Sequence, residues 1–256
     1  MAFHYRNVPI HFETFGKGSA IILLHGFLES STMWKHLIPQ LSKNNFVITI
    51  DFPGHGKSSV ISETHSMELM AEVVNNVMQN LQISSATFIG HSMGGYVALA
   101  YAELFPEKVE RLILLNSTPI ADSEERKENR DRALKVIDQN PQAYISMAIG
   151  NLFAESSREK FAAAIENLKT EAYSFPVEGI KAAIRGMRDR KDRTEILKNF
   201  NKEKYLVLAE EDPILPFLEV KEVAEKCNAS VKIIGGGHMS LVENLNSVAE
   251  YLHFIG

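Results

Sequence analysis

One serine stands where the chain could make it a nucleophile. Ser92 is the centre of a Gly-His-Ser-Met-Gly pentapeptide that follows an apolar segment and precedes a helical pattern ending at Pro106. A sharp strand-to-helix turn strains the serine backbone, and the residues two positions to either side must be small for strand and helix to close together. Gly90 and Gly94 meet that requirement. We therefore expect Ser92 at the end of a strand, as a candidate nucleophile.

A serine hydroxyl needs a base within hydrogen-bond distance and an acid that orients the base. Among the 9 histidines, His238 follows the last predicted strand in a triple-glycine loop that can carry its ring over Ser92. Asp212 follows the preceding strand, next to prolines that stiffen its turn. Glu210 and Glu211 are the alternative acids. The sequence thus predicts a triad of serine, aspartate and histidine.

Attack of a serine on a carbonyl creates an oxyanion, which needs hydrogen-bond donors. The residue after the nucleophile, Met93, can supply one donor through its backbone N–H. The second is expected from the loop after the third predicted strand, which begins at His25 and continues Gly-Phe-Leu. We assign this donor to the N–H of Phe27. The side chain of His25 is expected to hold loops together rather than to take part in the chemistry.

Strands that end at one edge of a sheet would bring these groups together. Two alternating segments, residues 3–8 and 10–15, predict an antiparallel edge. Continuous apolar runs predict strands covered on both faces at residues 20–24, 46–50, 86–90, 109–115, 205–209 and 231–234. Helical stripes separate these runs. An eight-stranded, mostly parallel sheet with helices on both faces follows from this pattern.

The alternation of strands and helices stops between residues 119 and 198, where only helical patterns occur. An all-helical insertion after the sixth predicted strand would lie over the carboxyl ends of the strands, where open α/β sheets have their sites. We therefore predict a core formed by residues 1–118 and 199–256 and a helical cap formed by residues 119–198. The predicted lining of the cap comprises Met147, Ile149, Leu152, Phe153, Phe161 and Met187.

Composition restricts the class of protein. The chain has 256 residues, of which 45% are hydrophobic and 23% charged, as is ordinary for a globular protein. A net charge of -5 gives no reason to expect nucleic-acid or anionic-membrane binding. Cys227 has no cysteine partner, and no run approaches a membrane span. We expect a cytoplasmic protein that needs no cofactor or metal and whose partner is a small-molecule substrate.

Five ordered motifs resemble those of the α/β-hydrolase superfamily. They are HGF after the third predicted strand, DFPGHGKS at residues 51–58, GHSMGG at 90–95, EEDPILP around Asp212 and GGHMSLVEN around His238. The resemblance implies an eight-stranded α/β-hydrolase sheet with a helical cap and the order nucleophile, acid, base. It also implies that Asp51 and His55 shape a loop beside the site.

Within this superfamily the residues favour an esterase or lactonase. Ser92 stands where haloalkane dehalogenases and epoxide hydrolases carry a nucleophilic aspartate. C–C hydrolases carry a tryptophan close after the base, where this chain has Met239, and menaquinone-pathway lyases carry a basic residue where it has Tyr96. The segment 186–194 is similar to esterases and enol-lactonases, with Arg190 and Asp192 expected as a buried pair. C–C hydrolase, thioesterase, acyltransferase and non-catalytic ligand receptor are the alternatives.

Overall fold

The computed structural model describes residues 3–255, with side chains for residues 3–252, so the outer limits of the predicted core, residues 1 and 256, lie outside it. Its strands are β1 (Phe3–Tyr5), β2 (Val8–Ile10), β3 (Phe12–Phe15), β4 (Ser19–Leu24), β5 (Asn45–Ile50), β6 (Ala86–His91), β7 (Val109–Leu115), β8 (Glu203–Ala209) and β9 (Ser230–Ile234). The main sheet has the order β3-β5-β4-β6-β7-β8-β9. Among the described strands of the main sheet, only β3 runs antiparallel to its neighbour.

The helices cover both faces of this sheet. They are α1 (Ile38–Leu41), α2 (Met67–Asn80), α3 (Met93–Leu104), α4 (Glu124–Gln139), α5 (Pro141–Gly150), α6 (Ala162–Ala172), α7 (Val177–Arg188), α8 (Thr194–Asn199), α9 (Phe217–Lys226), α10 (Ser240–Glu243) and α11 (Leu245–Ile255). Across residues 3–255, none of them is long and apolar enough to cross a membrane.

The continuous apolar strands are explained by two buried layers. Along β4, Ile22 and Leu24 join the core that includes α2 and α3, whereas Ile21 and Leu23 join the core with Trp34 and α11. Because successive side chains of a strand point to opposite faces, a strand between two helical layers is apolar at every position. The central strands are therefore covered on both faces.

The predicted number of strands in the sheet was wrong, because the main sheet has seven strands and not eight. The predicted first strand, residues 3–8, turns back at Arg6 and Asn7, whose φ angles are +49° and +67°. Two consecutive positive φ angles form the tight turn of a two-residue hairpin, so β1 and β2 pair with each other in a separate sheet. The predicted antiparallel edge is provided by β3, which pairs with β5.

The chain between β7 and β8 is helical in the structure and comprises α4 to α8. Two of its contacts with the rest of the molecule lie at loops near the carboxyl ends of the strands. Glu171 of α6 accepts hydrogen bonds from Ser30 Oγ at 2.6 Å and from Thr32 Oγ1 at 2.8 Å. The carbonyl of Leu152 accepts the N–H of His238 at 2.9 Å. The insertion is thus held against the edge where the predicted site residues lie.

The loop from Asp51 to Ser58 is closed by its own polar groups. The Asp51 carboxylate accepts the N–H of Ser31 at 2.8 Å and that of Lys57 at 2.9 Å, and Ser58 Oγ donates to the Asp51 carbonyl at 2.7 Å. These bonds agree with the loop-shaping role expected for Asp51. They also enclose the ring of His55, which is fully buried.

Two buried imidazoles beside this loop link stability to pH. Burial lowers the pKa of His55 to about 3 and that of His65 to about 4. Because these folded-state values lie below the 6.5 of an ordinary imidazole, the unfolded chain takes up protons first as the pH falls. The contribution of each group to stability is present above pH 6.5 and is lost toward its folded-state pKa.

We expect the free energy of unfolding to fall by about 2 kcal/mol per buried histidine between about pH 7 and pH 5. Urea unfolding at the two pH values measures this difference. In His55→Gln the difference should shrink by about 2 kcal/mol, because glutamine takes up no proton in either state. An unchanged difference in His55→Gln would contradict a buried neutral imidazole.

Candidate active site

Ser92 lies at a strained turn between β6 and α3. Its φ of +50° and ψ of −116° are unusual for a residue with a side chain. The turn is held by a hydrogen bond from the Ser92 N–H to the Leu115 carbonyl of β7 at 3.0 Å. Ser92 is partly exposed although its neighbours are buried. The strain therefore presents the hydroxyl at the surface of a packed edge.

The two glycines of the motif are required by close backbone contacts. A Cβ atom on Gly90 would lie 2.4 Å from the Gly94 carbonyl oxygen, and one on Gly94 would lie 2.1 Å from the Leu24 carbonyl oxygen. Both distances are far shorter than a carbon atom can approach. The helix α3 thus begins in direct backbone contact with β6 and with the end of β4.

The predicted triad residues meet in one chain of hydrogen bonds. His238 Nε2 lies 2.8 Å from Ser92 Oγ, and His238 Nδ1 lies 2.8 Å from Asp212 Oδ2. The His238 and Asp212 side chains are only 1% and 2% exposed. With a proton on Nδ1, the other ring nitrogen can accept the serine proton. The arrangement can therefore transfer a proton from Ser92 to His238.

The carboxylate of Asp212 is fixed by further donors. Oδ1 accepts the N–H groups of Ile214 at 2.8 Å and Leu215 at 3.0 Å, and Oδ2 accepts from Asn116 Nδ2 at 3.1 Å. Burial raises the pKa of Asp212, but attraction to His238 and these hydrogen bonds outweigh it, so the pKa lies below its ordinary value. Asp212 is thus held as an ionised acceptor.

The two alternative acids take no part in this series of hydrogen bonds. Glu210 and Glu211 are exposed, and Glu211 accepts a hydrogen bond from Ser156 at 2.7 Å. Sequence reasoning missed Asn116, which directly follows β7. Its side-chain amide donates to Asp212, and its side-chain oxygen accepts a hydrogen bond from Ser240 Oγ. A polar residue directly after a buried strand is the signal that could have found it.

The two backbone N–H groups predicted as oxyanion donors, those of Met93 and Phe27, have no protein acceptor among the described residues. Met93 is the first residue of α3, where helix geometry leaves N–H groups without an intrahelical acceptor. Phe27 lies in a turn after β4 and is partly exposed. Within residues 3–255, neither N–H forms a hydrogen bond to a protein acceptor. Both donors are therefore free for an incoming oxygen.

His25 links two loops, as expected. Its Nε2 accepts the Phe52 N–H at 2.9 Å, so the ring proton resides on Nδ1, which donates to the Gly26 carbonyl at 2.7 Å. Burial lowers the pKa of His25, in agreement with a neutral ring. A neutral ring with both nitrogens occupied has no proton to exchange with a substrate.

The expected pair of Arg190 and Asp192 was wrong. Asp192 is exposed, and the buried Arg190 contacts Asp122 at 2.7 Å. The nearby Arg185 is also engaged, since it donates a hydrogen bond to the Glu63 carbonyl at 2.7 Å. The guanidinium group of Arg190 stacks on the ring of Tyr96 in α3, with its central carbon 4.1 Å from the ring centroid. The segment around residue 190 thus supports the helix that carries the nucleophile.

A hydrogen-bonded serine, histidine and aspartate can together carry out acyl transfer. Within the described part of the chain no group of three or more metal-binding side chains occurs. The family model of the alpha/beta hydrolase fold matches residues 19–245. The chain belongs to the α/β-hydrolase family.

Solved structures of other α/β-hydrolases resemble this one closely. A thermophilic esterase from Thermogutta terrifontis is 30% identical, with a TM-score of 0.91 over 96% of this chain and 92% of that one. The enol-lactonase from Burkholderia xenovorans LB400 is 20% identical, with a TM-score of 0.88 over 96% of each chain. The first similarity agrees with an esterase-like branch of the family, and the second shows the fold.

Curated relatives match over a shorter segment. The bifunctional epoxide hydrolase 2 of Sus scrofa is 37% identical over 119 residues, which are 45% of this chain and 21% of that protein. This α/β-hydrolase thus spans less than a third of the length of the first curated relatives it matches.

We expect Asp212→Asn to lower kcat on p-nitrophenyl acetate by about 10⁴-fold, because the amide can donate to His238 Nδ1 and so favours the tautomer with a protonated Nε2. Glu211→Gln is the matched control, since its carboxylate contacts only the surface Ser156 among the hydrogen bonds of the described chain. It should retain wild-type kcat. A large loss in Glu211→Gln with little loss in Asp212→Asn would assign the acid to Glu211.

Proposed function

We propose that this α/β-hydrolase is a serine hydrolase that cleaves small carboxylic esters or lactones through an acyl-enzyme on Ser92. The strongest support is the continuous hydrogen-bonded chain from Ser92 Oγ to His238 to Asp212, with both distances at 2.8 Å, at the end of a strained turn. The similarity to the Thermogutta terrifontis esterase over 96% of this chain agrees with it.

In the first half of the reaction, Ser92 Oγ attacks the carbonyl carbon and its proton passes to His238 Nε2. The electron pair of the carbonyl double bond moves to oxygen, and the N–H groups of Phe27 and Met93 donate to that oxyanion. Asp212 stabilises the imidazolium. Collapse breaks the carbon–oxygen bond of the ester, and the leaving alkoxide takes the proton from Nε2.

In the second half, water attacks the acyl-enzyme and gives a proton to His238 Nε2. The second oxyanion collapses, Ser92 Oγ leaves with that proton, and the carboxylic acid departs. In a lactone the alcohol and the acid belong to one molecule, so the same steps open the ring. Neither half requires a cofactor.

Ser92 also bears on the epoxide hydrolase relatives. The resemblance between the motifs implies that epoxide hydrolases carry an aspartate where this chain has Ser92. An aspartate can form an ester with an epoxide carbon, whereas a serine activated by a histidine suits a carbonyl carbon. We therefore keep ester or lactone hydrolysis as the proposal. A cytoplasmic location is proposed with it, in agreement with the buried free Cys227.

Residues 119–198 are proposed to act as a cap that contacts the acyl group. Among the predicted lining residues, Ile149, Phe153 and Met187 are buried in the core, and Met147 is 54% exposed. Leu152 is partly exposed, and its carbonyl accepts the N–H of His238. The backbone of Leu152 is thus hydrogen-bonded to the base, and we propose that its apolar side chain contacts the acyl group and favours neutral acyl groups.

Replacement of the nucleophile tests the proposal directly. Ser92→Ala should lose on the order of 10⁶-fold in kcat and should not be labelled by a fluorophosphonate, because the attacking oxygen is gone while a small side chain still fits the turn. Ser156→Ala, which removes a surface hydroxyl, is the control and should be labelled like the wild type. A Ser92→Ala protein that keeps more than about a hundredth of the activity would refute the assignment.

A series of p-nitrophenyl esters from acetate to hexanoate tests the acyl preference. Each added methylene should raise kcat/KM about four-fold until the pocket is full, since burying one methylene contributes about 0.8 kcal/mol. Leu152→Ala should flatten this increase, and Met147→Ala, on the exposed surface, should not. A flat wild-type response with a preference for carboxylate-bearing esters would contradict an apolar pocket.

A further inference from the structure

An ion pair is buried beneath the candidate active site. His91 Nδ1 lies 3.0 Å from Glu29 Oε2, and the two side chains are 0% and 3% exposed. His91 directly precedes Ser92, and Glu29 lies two residues after Phe27. The triad does not use either side chain. A buried pair of charges is costly to form, so its position between the two loops calls for an explanation.

The hydrogen-bond partners fix the protonation of this pair. His91 Nε2 lies 2.9 Å from the carbonyl oxygen of His238, which can only accept, so Nε2 carries a proton. Glu29 Oε2 accepts the Gly26 N–H at 2.7 Å and faces Nδ1 of His91 as a second donor. A neutral imidazole has one N–H and cannot donate at both nitrogens. With Glu29 ionised, these contacts therefore place a proton on both ring nitrogens of His91.

The charges around the pair agree with this protonation. Burial lowers the pKa of His91, but attraction to Glu29 and the hydrogen bonds to Glu29 and to the His238 carbonyl raise it above its ordinary value. Burial raises the pKa of Glu29, and His91 with the Gly26 N–H lowers it overall. The ring of His238 lies 5.2 Å from that of His91, with Asp212 behind it, and the neutral His25 faces Glu29.

This pair joins three segments that the proposed reaction needs. Through Gly26 it holds the turn that presents the Phe27 N–H, a turn in which Leu28 has a strained φ of +61°. His91 is joined to Ser92 by a peptide bond. Its Nε2 is hydrogen-bonded to the backbone carbonyl of His238. One buried contact thus sets the distances between an oxyanion donor, the nucleophile and the base.

We propose that Glu29 and His91 are positioning residues that hold the Phe27 N–H, Ser92 and His238 in register for acyl transfer. This inference rests on the proposed function. An amide at position 29 could accept from Gly26, but it would supply no charge to balance a buried imidazolium. His91 would then become neutral and lose one of its two donor bonds, and an unprotonated Nε2 would face the His238 carbonyl.

Three variants separate positioning from folding. Glu29→Gln and His91→Gln remove either charge, and Glu103→Gln is the matched control, because Glu103 also accepts from a buried cation, Arg193, at 2.9 Å. We expect Glu29→Gln to lose about 10- to 100-fold in kcat with KM within about three-fold of wild type. Glu103→Gln should keep its kcat even if its Tm falls. In the double variant that combines Glu29→Gln with His91→Gln, kcat should fall no further than in the worse of these two single variants.

Nitrogen-15 NMR of histidine-labelled protein tests the pair without turnover. Both ring nitrogens of His91, assigned by their loss in His91→Gln, should be protonated at about pH 8 in the wild type, and only one in Glu29→Gln. A wild-type His91 with one ring proton, or Glu29→Gln with the kcat of Glu103→Gln, would overturn the proposal. If Ser92→Ala kept the esterase activity of the wild type, the proposed function would be refuted, but the NMR result on His91 would still stand.

Discussion

The contact between the backbone of Gly94 and the carbonyl of Leu24 is the constraint on which the site depends. A Cβ atom at residue 94 would lie 2.1 Å from that oxygen, so α3 begins against the ends of β4 and β6 without an intervening side chain. Backbone contact cannot be relieved by a change of rotamer, so the position of Ser92 is set by the sheet itself. His238 and Asp212 lie on loops, so further contacts are needed to hold their side chains in place.

Two histidines near Ser92 show how partner type decides charge. His25 receives an N–H at Nε2 and is neutral, whereas His91 faces two acceptors and is a cation. The cation lies next to the ring of His238, and Glu29 offsets its field on the opposite side. The proposed proton transfer between Ser92 and His238 would therefore take place beside an ion pair whose net charge is zero.

The sequence predicted the parts that depend on chain order and failed where contacts depend on tertiary packing. Ser92, Asp212 and His238 each follow a strand, so the carboxyl edge of a parallel sheet brings them together, and the structure does so. Asn116 follows β7 in the same way and could have been found by that rule. The partner of Arg190 could not, because Asp122 lies far from it in sequence and spacing carries no information about their contact. The predicted number of strands was wrong because a tight turn divides residues 3–8. The positive φ angles of that turn leave no trace in the pattern of apolar residues.

Among the described contacts of the site residues, the helical insertion is hydrogen-bonded directly to the base. The N–H of His238 donates to the Leu152 carbonyl, and Glu243 accepts the N–H of Ala154 at 3.1 Å. A displacement of this segment must therefore move the loop of His238 or break these bonds. Because Ser92 is fixed by the sheet, such a movement changes the distance between nucleophile and base. If this segment also contacts the acyl group, as proposed, we expect substitutions that reshape residues 152–154 to alter substrate preference and proton transfer together.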